Sequence, residues 1–465
     1  MLAHNWSLGF TSFGGPTVHF QIFRRLFVDE YKWIDEKTYQ EMFALCQALS
    51  GPGSTKMIYH INVMHYGFWI GLLALLVWCL PTAVAAFGLA LGIRSVGEQL
   101  PLPVYALLSG LNSATVGIIA LAAVQLSRKA ITDTLTRILV FLGATAGMLY
   151  NALWYFPVLM AAGALIAMVW DLKLFQRAWR GLRKNREPRD LPREEGAEPV
   201  QIDAMSEPQT EIGQRRTRDT NSTSATEEAR LVPSFRPQQK LLDSWRLGAL
   251  IIAAFLASFI IVMVCRGLYS GANRVFDLFA NLYLAGTIIF GGGPVVIPLL
   301  REYIVAPGWV SPRDFLLGLA IMQAFPGPNF NFAVYLGTLA VRDTGVPAPC
   351  GALVGLIAIF TPGIWFCTGS MGLWGKIRKI QAIRSALRGV HAAAVGLVFT
   401  AVYRLFEIGY LDENVQTGGS LSRDPWWIVI VATSFVGGMY FKLSPPLATV
   451  LGAAMGLIWY AVVRA

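Results

Sequence analysis

Charge is what this chain has least of. Only 14% of its 465 residues are Asp, Glu, Lys or Arg, where a soluble globular protein carries roughly 25%. Apolar residues make up 55% and mean hydropathy is +0.51. A surface so poor in charge has to face hydrocarbon, which excludes a soluble multidomain enzyme. Cysteine is scarce too. Cys46, Cys79, Cys265, Cys350 and Cys367 form no C-x-x-C pair and lie in or beside apolar stretches. They read as small buried apolar groups, not as a disulfide framework or a metal centre. His60 and His65 do not stand at i, i+4 and so lack the shared helix face of paired ligands; no metal site is expected. Walker, G-x-S-x-G and H-E-x-x-H sequences are missing. Nucleotide hydrolysis is therefore unsupported as an energy source, and no cofactor is expected. The first apolar run, Trp6 to Phe27, has no basic leader and no small-residue cleavage site, so it does not read as a signal peptide. It starts abruptly, which leads us to expect that the natural chain begins further upstream.

Long apolar runs are what the chain does have. A hydrocarbon core about 30 Å thick takes roughly 20 apolar residues per helix. About 13 stretches approach that length: 2–24, 38–58, 67–94, 103–127, 134–150, 152–171, 246–268, 276–300, 314–340, 348–374, 386–411, 425–441 and 443–463. The expected fold is all-α, a polytopic integral membrane protein with broken helices. Residues 172–245 interrupt the pattern. Rich in Arg, Glu, Pro, Gln, Ser and Thr, they cannot bury enough apolar area to offset chain entropy and read as a disordered linker between a first unit, 1–171, and a second, 246–465. The linker opens with Lys173, Arg177, Arg180, Arg183, Lys184 and Arg186, a juxtamembrane basic cluster that favours the cytoplasm. The sequon Asn221-Ser-Thr223 points the other way, and charge is the stronger signal. The net charge of +10 reads as the positive-inside excess of loops. No aromatic-and-basic stacking surface is visible, and no nucleic-acid partner is expected.

One motif set occurs twice. Gly9-Phe-Thr-Ser-Phe13-Gly14-Gly15-Pro16, then Trp33, then Gln47-Ala-Leu-Ser50-Gly51-Pro52 recurs as Gly286-Thr-Ile-Ile-Phe290-Gly291-Gly292-Gly293-Pro294, Trp309 and Gln323-Ala-Phe-Pro326-Gly327-Pro328. The offset is 277 residues from Gly9 to Gly286 and 276 from Trp33 to Trp309 and from Gln47 to Gln323. A third pair, Gly110 to Gly117 and Gly389 to Gly396, follows in the same order. Six segments per repeat, with 246–268 between them, place equivalent segments seven apart. If each crosses fully, that odd separation inverts the second repeat, the plan of many secondary transporters. With the linker in the cytoplasm, Arg128, Lys129, Arg137, Lys376, Arg378, Lys379, Arg384 and Arg388 fall inside and Asp412 and Glu413 outside. The loop with Arg24, Arg25, Lys32 and Lys37 then falls outside, against the rule.

Paired glycines allow positive φ and proline removes an N–H, so Phe13-Gly14-Gly15-Pro16 and Phe290-Gly291-Gly292-Gly293-Pro294 should break helices at membrane depth. Broken backbone there must be buried in protein or line a wet cavity. A half-helix N-terminus aimed into such a cavity attracts anions. A single break reads equally as a tight helix crossing; its duplication favours a site. The second motif adds donors: Gln47, Ser54, Thr55 and Lys56 around Gly51-Pro52, and Gln323, Asn329 and Asn331 around Pro326-Gly327-Pro328. Lys56 also reads as a snorkelling residue, and the two glutamines as bridges between helices. His19, Arg24, Arg25, Arg301 and Glu302 follow the breaks. Arg404 and Glu407 stand at i, i+3 and could pair. Each of these also reads as an interfacial anchor.

This duplicated Phe-Gly-Gly-Pro and Gln-x-x-x-Gly-Pro pattern resembles the chromate ion transporter family, in its long two-domain form, over nearly the whole chain outside the linker. The long charged linker suggests a fungal-type member. The resemblance implies a secondary carrier that expels chromate, with sulfate as a related tetrahedral dianion, and confers chromate resistance. It implies a substrate path along Phe13 to Pro16, Gln47, Gly51, Pro52, Ser54 to Lys56, Phe290 to Pro294, Arg301, Gln323, Pro326 to Asn329 and Asn331. The expected location is the plasma membrane; a homodimer stays open. Where the family usually has Pro-Gly-Pro in its first half, this chain has Ser50-Gly51-Pro52 followed by Gly53-Ser54-Thr55-Lys56, so a changed specificity would show there. Two other readings remain: a sulfate uptake carrier or anion channel, and a membrane-embedded enzyme or lipid-handling protein. The last needs a nucleophile–base or metal constellation that these His and Cys positions do not supply.

Overall fold

The computed structural model describes the chain except for residues 14, 96–100, 151–154, 173–243, 270, 272, 290–292, 323–324, 378, 414 and 464–465. The expected linker disorder and the sequon at Asn221 lie outside the described residues. The first half begins with short helices, α1 (Leu2–Asn5), α2 (Leu8–Thr11), α3 (Pro16–Arg24), α4 (Glu36–Ala48) and α5 (Gly53–Tyr66). Longer ones follow: α6 (Phe68–Ser95), α7 (Leu102–Ala130), α8 (Thr134–Leu149) and α9 (Tyr155–Asp171). After α10 (Trp245–Leu268), the second half repeats the series with α11 (Arg274–Ile288), α12 (Gly293–Leu300), α13 (Pro312–Met322), α14 (Phe332–Ala340), α15 (Ala348–Ile377), α16 (Gln381–Phe406), α17 (Pro425–Tyr440) and α18 (Pro445–Val463). Six of these, α6, α7, α10, α15, α16 and α18, are long and apolar enough to cross a membrane. The helices α8, α9 and α17 are apolar but shorter.

The halves correspond in detail. Both α3 and α12 run into a π-helical turn, Arg25–Glu30 and Arg301–Val305. Both α6 and α15 carry an internal proline, Pro81 and Pro362. Each proline loosens its helix, and an incoming glycine backs onto it: Gly9 onto Trp78 O and Pro81, Gly286 onto Ile359 O and Pro362. A Cβ at Gly9 would stand 2.8 Å from Trp78 O. The long helices then exchange partners between halves, α7 packing on α17 and α18 and α16 on α8 and α9. Gly110 meets Gly452 and Gly456, and Gly389 meets Gly163. The third sequence motif is thus a pair of close helix crossings, built from small residues because lipid offers no competing hydrophobic drive.

Apolar stretches are not continuous crossing helices here. The stretches 2–24, 38–58, 276–300 and 314–340 each contain short helices around a break. In the first half these helices double back. The His4 ring lies 4.7 Å from that of Tyr31, Asn5 bonds Asn62 at 3.0 Å, and His65 stacks on Trp33 at 4.3 Å. The start of α1, the loop after α3 and the end of α5 therefore share one end of the bundle. Arg24 and Lys129 line a single groove there. This corrects the sequence placement of the Arg24–Lys37 loop on the side opposite Lys129: the short helices turn back at the breaks instead of crossing. At this end Arg388 of α16 reaches Asp133, before α8, and Asp171, closing α9, the latter at 2.6 Å.

A small antiparallel hairpin, β1 (Tyr410–Asp412) and β2 (Val415–Gly419), joins α16 to α17 within the all-α fold. The sequence places Asp412 and Glu413 on the outer side without a strand. Its backbone is held by α7: Leu411 N–H donates to Ser109 Oγ at 2.9 Å and Asn112 Nδ2 donates to Gly409 O at 3.0 Å.

Candidate functional site

The Gly-Pro turns organise the centre. Gly51 has φ +91° and Gly327 has φ +84°, a region that glycine enters without a Cβ penalty. Pro52 and Pro328 follow, each at the start of a helical run, α5 and the 3-10 turn Asn329–Asn331 that leads into α14. The Gly51 N–H donates across to Ile289 O, just past the end of α11, at 2.7 Å. The Gly327 N–H donates to Ser12 O, just past α2, at 2.8 Å. Ser12 and Ile289 are themselves 277 residues apart, the repeat offset. Each repeat's turn therefore satisfies a carbonyl freed where the other repeat's helix breaks. No side chain fits between them. A Cβ at Gly51 would lie 2.7 Å from Gly363 Cα, and one at Gly327 would lie 2.5 Å from Thr82 Oγ1.

These bonds bring the N-terminal ends of α3, α5 and the 329–340 run together. They surround a cavity lined by Pro16, His19, Pro52, Gly53, Ser54 and Pro328 to Phe330. Its volume is about 10 Å³, room for about one water. A tetrahedral oxyanion is larger than this cavity. The first-turn N–H groups of α5, on Gly53, Ser54 and Thr55, have no partner within the helix and carry its positive dipole end. His19 Nε2 is 3.1 Å from Ser12 O and Nδ1 is 3.2 Å from Ser54 Oγ. A carbonyl can only accept, so Nε2 carries the proton, and in the neutral ring Nδ1 accepts from the Ser54 hydroxyl. His19 thus aims Ser54 at the cavity wall and ties it to the carbonyl that receives Gly327.

The sequence-predicted residues divide by position. Pro16, Pro52, Ser54, Pro328 and Asn329 line the cavity, and Gly51 and Gly327 form its turns. Gly15, φ +77°, caps α3. Gln47 is half-buried, its Oε1 facing Gly53. Thr55 is buried and accepts from Trp78 Nε1 at 3.2 Å. Asn331 is buried and donates to Cys79 O at 2.8 Å. Pro326 O accepts from the Thr82 hydroxyl at 2.5 Å. Lys56 is fully buried, and its ammonium sits on Leu49 O at 2.7 Å and Ser50 O at 2.8 Å. It caps the carbonyl end of α4 and does not line the cavity. Phe13 is exposed. Gly293 and Pro294 open α12, and Arg301 stands past its other end, about 12 Å along the axis for an eight-residue helix. Gly14, Phe290, Gly291, Gly292 and Gln323 lie outside the described residues. Arg404 pairs with Glu302 at 3.8 Å and donates to Gly147 O at 2.9 Å, while Glu407 accepts from the Tyr403 hydroxyl at 2.7 Å. The expected Arg404–Glu407 pair does not form, because Arg404 turns toward the buried carboxylate of the preceding π turn.

Sequence reasoning passed over His19 as a central residue and missed the company His60 keeps. Its partner is not His65: ligand atoms of Cys46, His60 and Cys367, all buried, lie within 4.8 Å of one another. The repeats are also unequal here. By the repeat offsets, His19, Ser54 and Lys56 correspond to Val296, Phe330 and Phe332. The first repeat supplies the polar side chains, whereas the second contributes mainly backbone and Asn329.

The Chromate transporter family profile matches residues 1–168 and 276–457, both repeats without the linker. The chain is 23% identical over 416 residues to a chromate transport protein of Pseudomonas aeruginosa, covering 88% of this chain and 81% of that one. It is 24% identical over 456 residues to a probable chromate transport protein of Synechococcus elongatus, covering 97% and 93%. It is 25% identical over 460 residues to a chromate transport protein of Cupriavidus metallidurans, covering 97% and 91%. These relatives are bacterial, so a fungal-type placement rests on the linker alone. No solved structure matches the chain. Duplicated breaks, reciprocal turns and a profile that spans both repeats agree: the chain belongs to the chromate transporter family.

Proposed function

We propose that this protein is a secondary carrier that expels chromate, and related tetrahedral dianions such as sulfate, across the plasma membrane. One observation carries the reading: the reciprocal bonds Gly51 N–H to Ile289 O and Gly327 N–H to Ser12 O. They gather helix N-termini from both repeats around one cavity, with Ser54 and Asn329 on its wall. A dianion accepts many hydrogen bonds at once, and converging backbone N–H groups suit that demand. The chromate transport proteins that the chain resembles supply the substrate class. An inside-negative potential favours expulsion of a dianion by about 4.6 kcal/mol per 100 mV, twice the single-charge value. No motor is required.

The mechanism is alternating access between inverted repeats. The first repeat's short helices open at the end that carries Arg24, Lys129 and the Arg388 staple. In the second repeat the end of α14 meets the end of α6, where Arg342 donates to Arg94 O at 3.1 Å. α6 starts beside the first group and ends beside the second, which supports opposite openings. The positive-inside rule puts the first opening in the cytoplasm. Because the turns bond across the repeats, parting one bond frees one half-helix pair and widens the cavity toward one side. The test is flux: proteoliposomes preloaded with labelled chromate or sulfate should lose anion faster under a potential that drives anions out. Absence of flux for both anions under every gradient refutes the proposal. Equal, unsaturable flux of unrelated anions favours a channel.

A further inference from the structure

Behind the Gly51 turn lies a cluster that anion transport does not use. Cys46 ends α4, His60 lies in mid α5 and Cys367 stands in α15, one turn beyond Gly363, the residue Gly51 packs against. All three are buried, and the two Sγ atoms and a His60 ring nitrogen lie within 4.8 Å of one another. A three-coordinate ion with metal–sulfur bonds of about 2.3 Å and a metal–nitrogen bond of about 2.0 Å holds its ligands about 4 Å apart. The cluster needs a contraction of less than about 1 Å to meet that geometry. A second observation points the same way. His60 Nδ1 is buried and makes no hydrogen bond of ordinary geometry among the described residues, an uncommon state for a buried ring nitrogen.

Charge selects the ion. Lys56 is fully buried on α5, four residues before His60 and so one helical turn away on the same face. The backbone carbonyl of the same residue is 4.0 Å from Cys367 Sγ. Two thiolates, one neutral imidazole, one ammonium and a monovalent cation sum to zero. A divalent cation leaves a net positive charge in a dry interior, where uncompensated charge is expensive. Thiolates select soft ions. We propose that Cys46, His60 and Cys367 form a binding site for a single Cu(I) ion, with Lys56 as its built-in counter-charge. Binding releases the two thiol protons to solvent and forms two Cu–S bonds and one Cu–N bond; no electron is transferred. Because the ligands come from α4, α5 and α15, the ion ties the two repeats together beside the Gly51–Gly363 contact.

The test titrates reduced, purified full-length protein with Cu(I) against a colorimetric Cu(I) chelator. The expected result is about one ion per chain, lost in Cys46→Ser and in Cys367→Ser and kept in Cys79→Ser and Cys265→Ser. X-ray absorption of the wild-type complex should show two sulfur neighbours at about 2.3 Å and one nitrogen at about 2.0 Å. Lys56→Met removes the counter-charge, so zinc(II) should gain on Cu(I) by about tenfold or more. No stoichiometric Cu(I), or undiminished binding in both cysteine variants, overturns the site. Zinc(II) outcompeting Cu(I) in the wild type overturns the charge argument. If a variant does not accumulate, the absorption spectrum of the wild type decides by its sulfur count.

Discussion

Replacing Gly51 with alanine tests the geometry at the point where the repeats meet. At φ +91° an alanine backbone is strained by about 1–3 kcal/mol. The new Cβ would lie 2.7 Å from Gly363 Cα. Backbone on both sides must part to make room, and overpacking of this kind is destabilising by about 1–3 kcal/mol. Parting them lengthens the 2.7 Å bond from Gly51 N–H to Ile289 O, with a net loss of about 0.5–1.5 kcal/mol. The combined expectation is about 2.5–7.5 kcal/mol. Two controls separate the terms. Gly15 has φ +77° and ψ −172° but open space where its Cβ would go, so Gly15→Ala should show strain alone, about 1–3 kcal/mol. Gly88 is helical with open space, so Gly88→Ala should be neutral or stabilising by about 0.5–1 kcal/mol. Thermal unfolding in detergent ranks the three, and chromate flux at a temperature where all remain folded gives a second reading. A Gly51→Ala protein no less stable than Gly15→Ala, or one with wild-type flux, would show that the Gly51 contact does not hold the repeats together.

In the loaded site the Ser54 hydroxyl must turn its one proton from His19 Nδ1 to the anion, so Ser54→Ala should raise the half-saturating chromate concentration by about twofold to thirtyfold, a charge-assisted bond of about 1.5–3 kcal/mol less the bond of about 1 kcal/mol given up to make it, with protein yield unchanged; an unaltered value would take Ser54 out of the path. Arg388→Ala loses two partly exposed ion pairs and should lower stability by about 1 kcal/mol, which unfolding at low salt would show. The Asp133 carboxyl is held below its ordinary value of 3.8, mainly by the Thr136 backbone N–H and less by Arg388. A carboxylate depressed in this way stabilises fully above its unfolded value and loses that contribution as pH falls through the folded value. The Arg388→Ala deficit should therefore be constant above about pH 5 and shrink below about pH 4; a deficit that grows in acid contradicts the pairing. For topology, a cysteine introduced by Lys37→Cys should react with an impermeant maleimide only from the cytoplasmic side, and exposed Cys350 only from the other. Labelling of both from one side refutes the inversion.

What the sequence made legible follows from how local the cause is. The breaks at Gly15-Pro16, Gly51-Pro52 and Gly327-Pro328 were readable because positive φ and a missing N–H are properties of the residues themselves. The repeat was readable because two copies share one order of motifs. Direction was not. Whether α3 and α4 cross or double back depends on contacts such as His65 on Trp33 and Arg24 on Glu36, which no local pattern records. Lys56 read as an anion donor or a snorkelling group. Its use on Leu49 O and Ser50 O appears only once the Gly51 turn folds the chain back on itself. The His19–Ser54 contact joins residues 35 apart, and Cys46 and Cys367 come from different repeats. Their spacing in the chain carries no trace of either meeting.

In the proposed carrier, helix N-termini of both repeats enclose one site for a tetrahedral dianion. The most direct measurement of that site is efflux of labelled chromate from proteoliposomes under an imposed potential, with unlabelled sulfate as competitor. Efflux should be saturable, driven by the potential and inhibited by sulfate, and both Gly51→Ala and Gly327→Ala should abolish it. Efflux that sulfate does not touch, or that survives in both glycine variants, would contradict such a site.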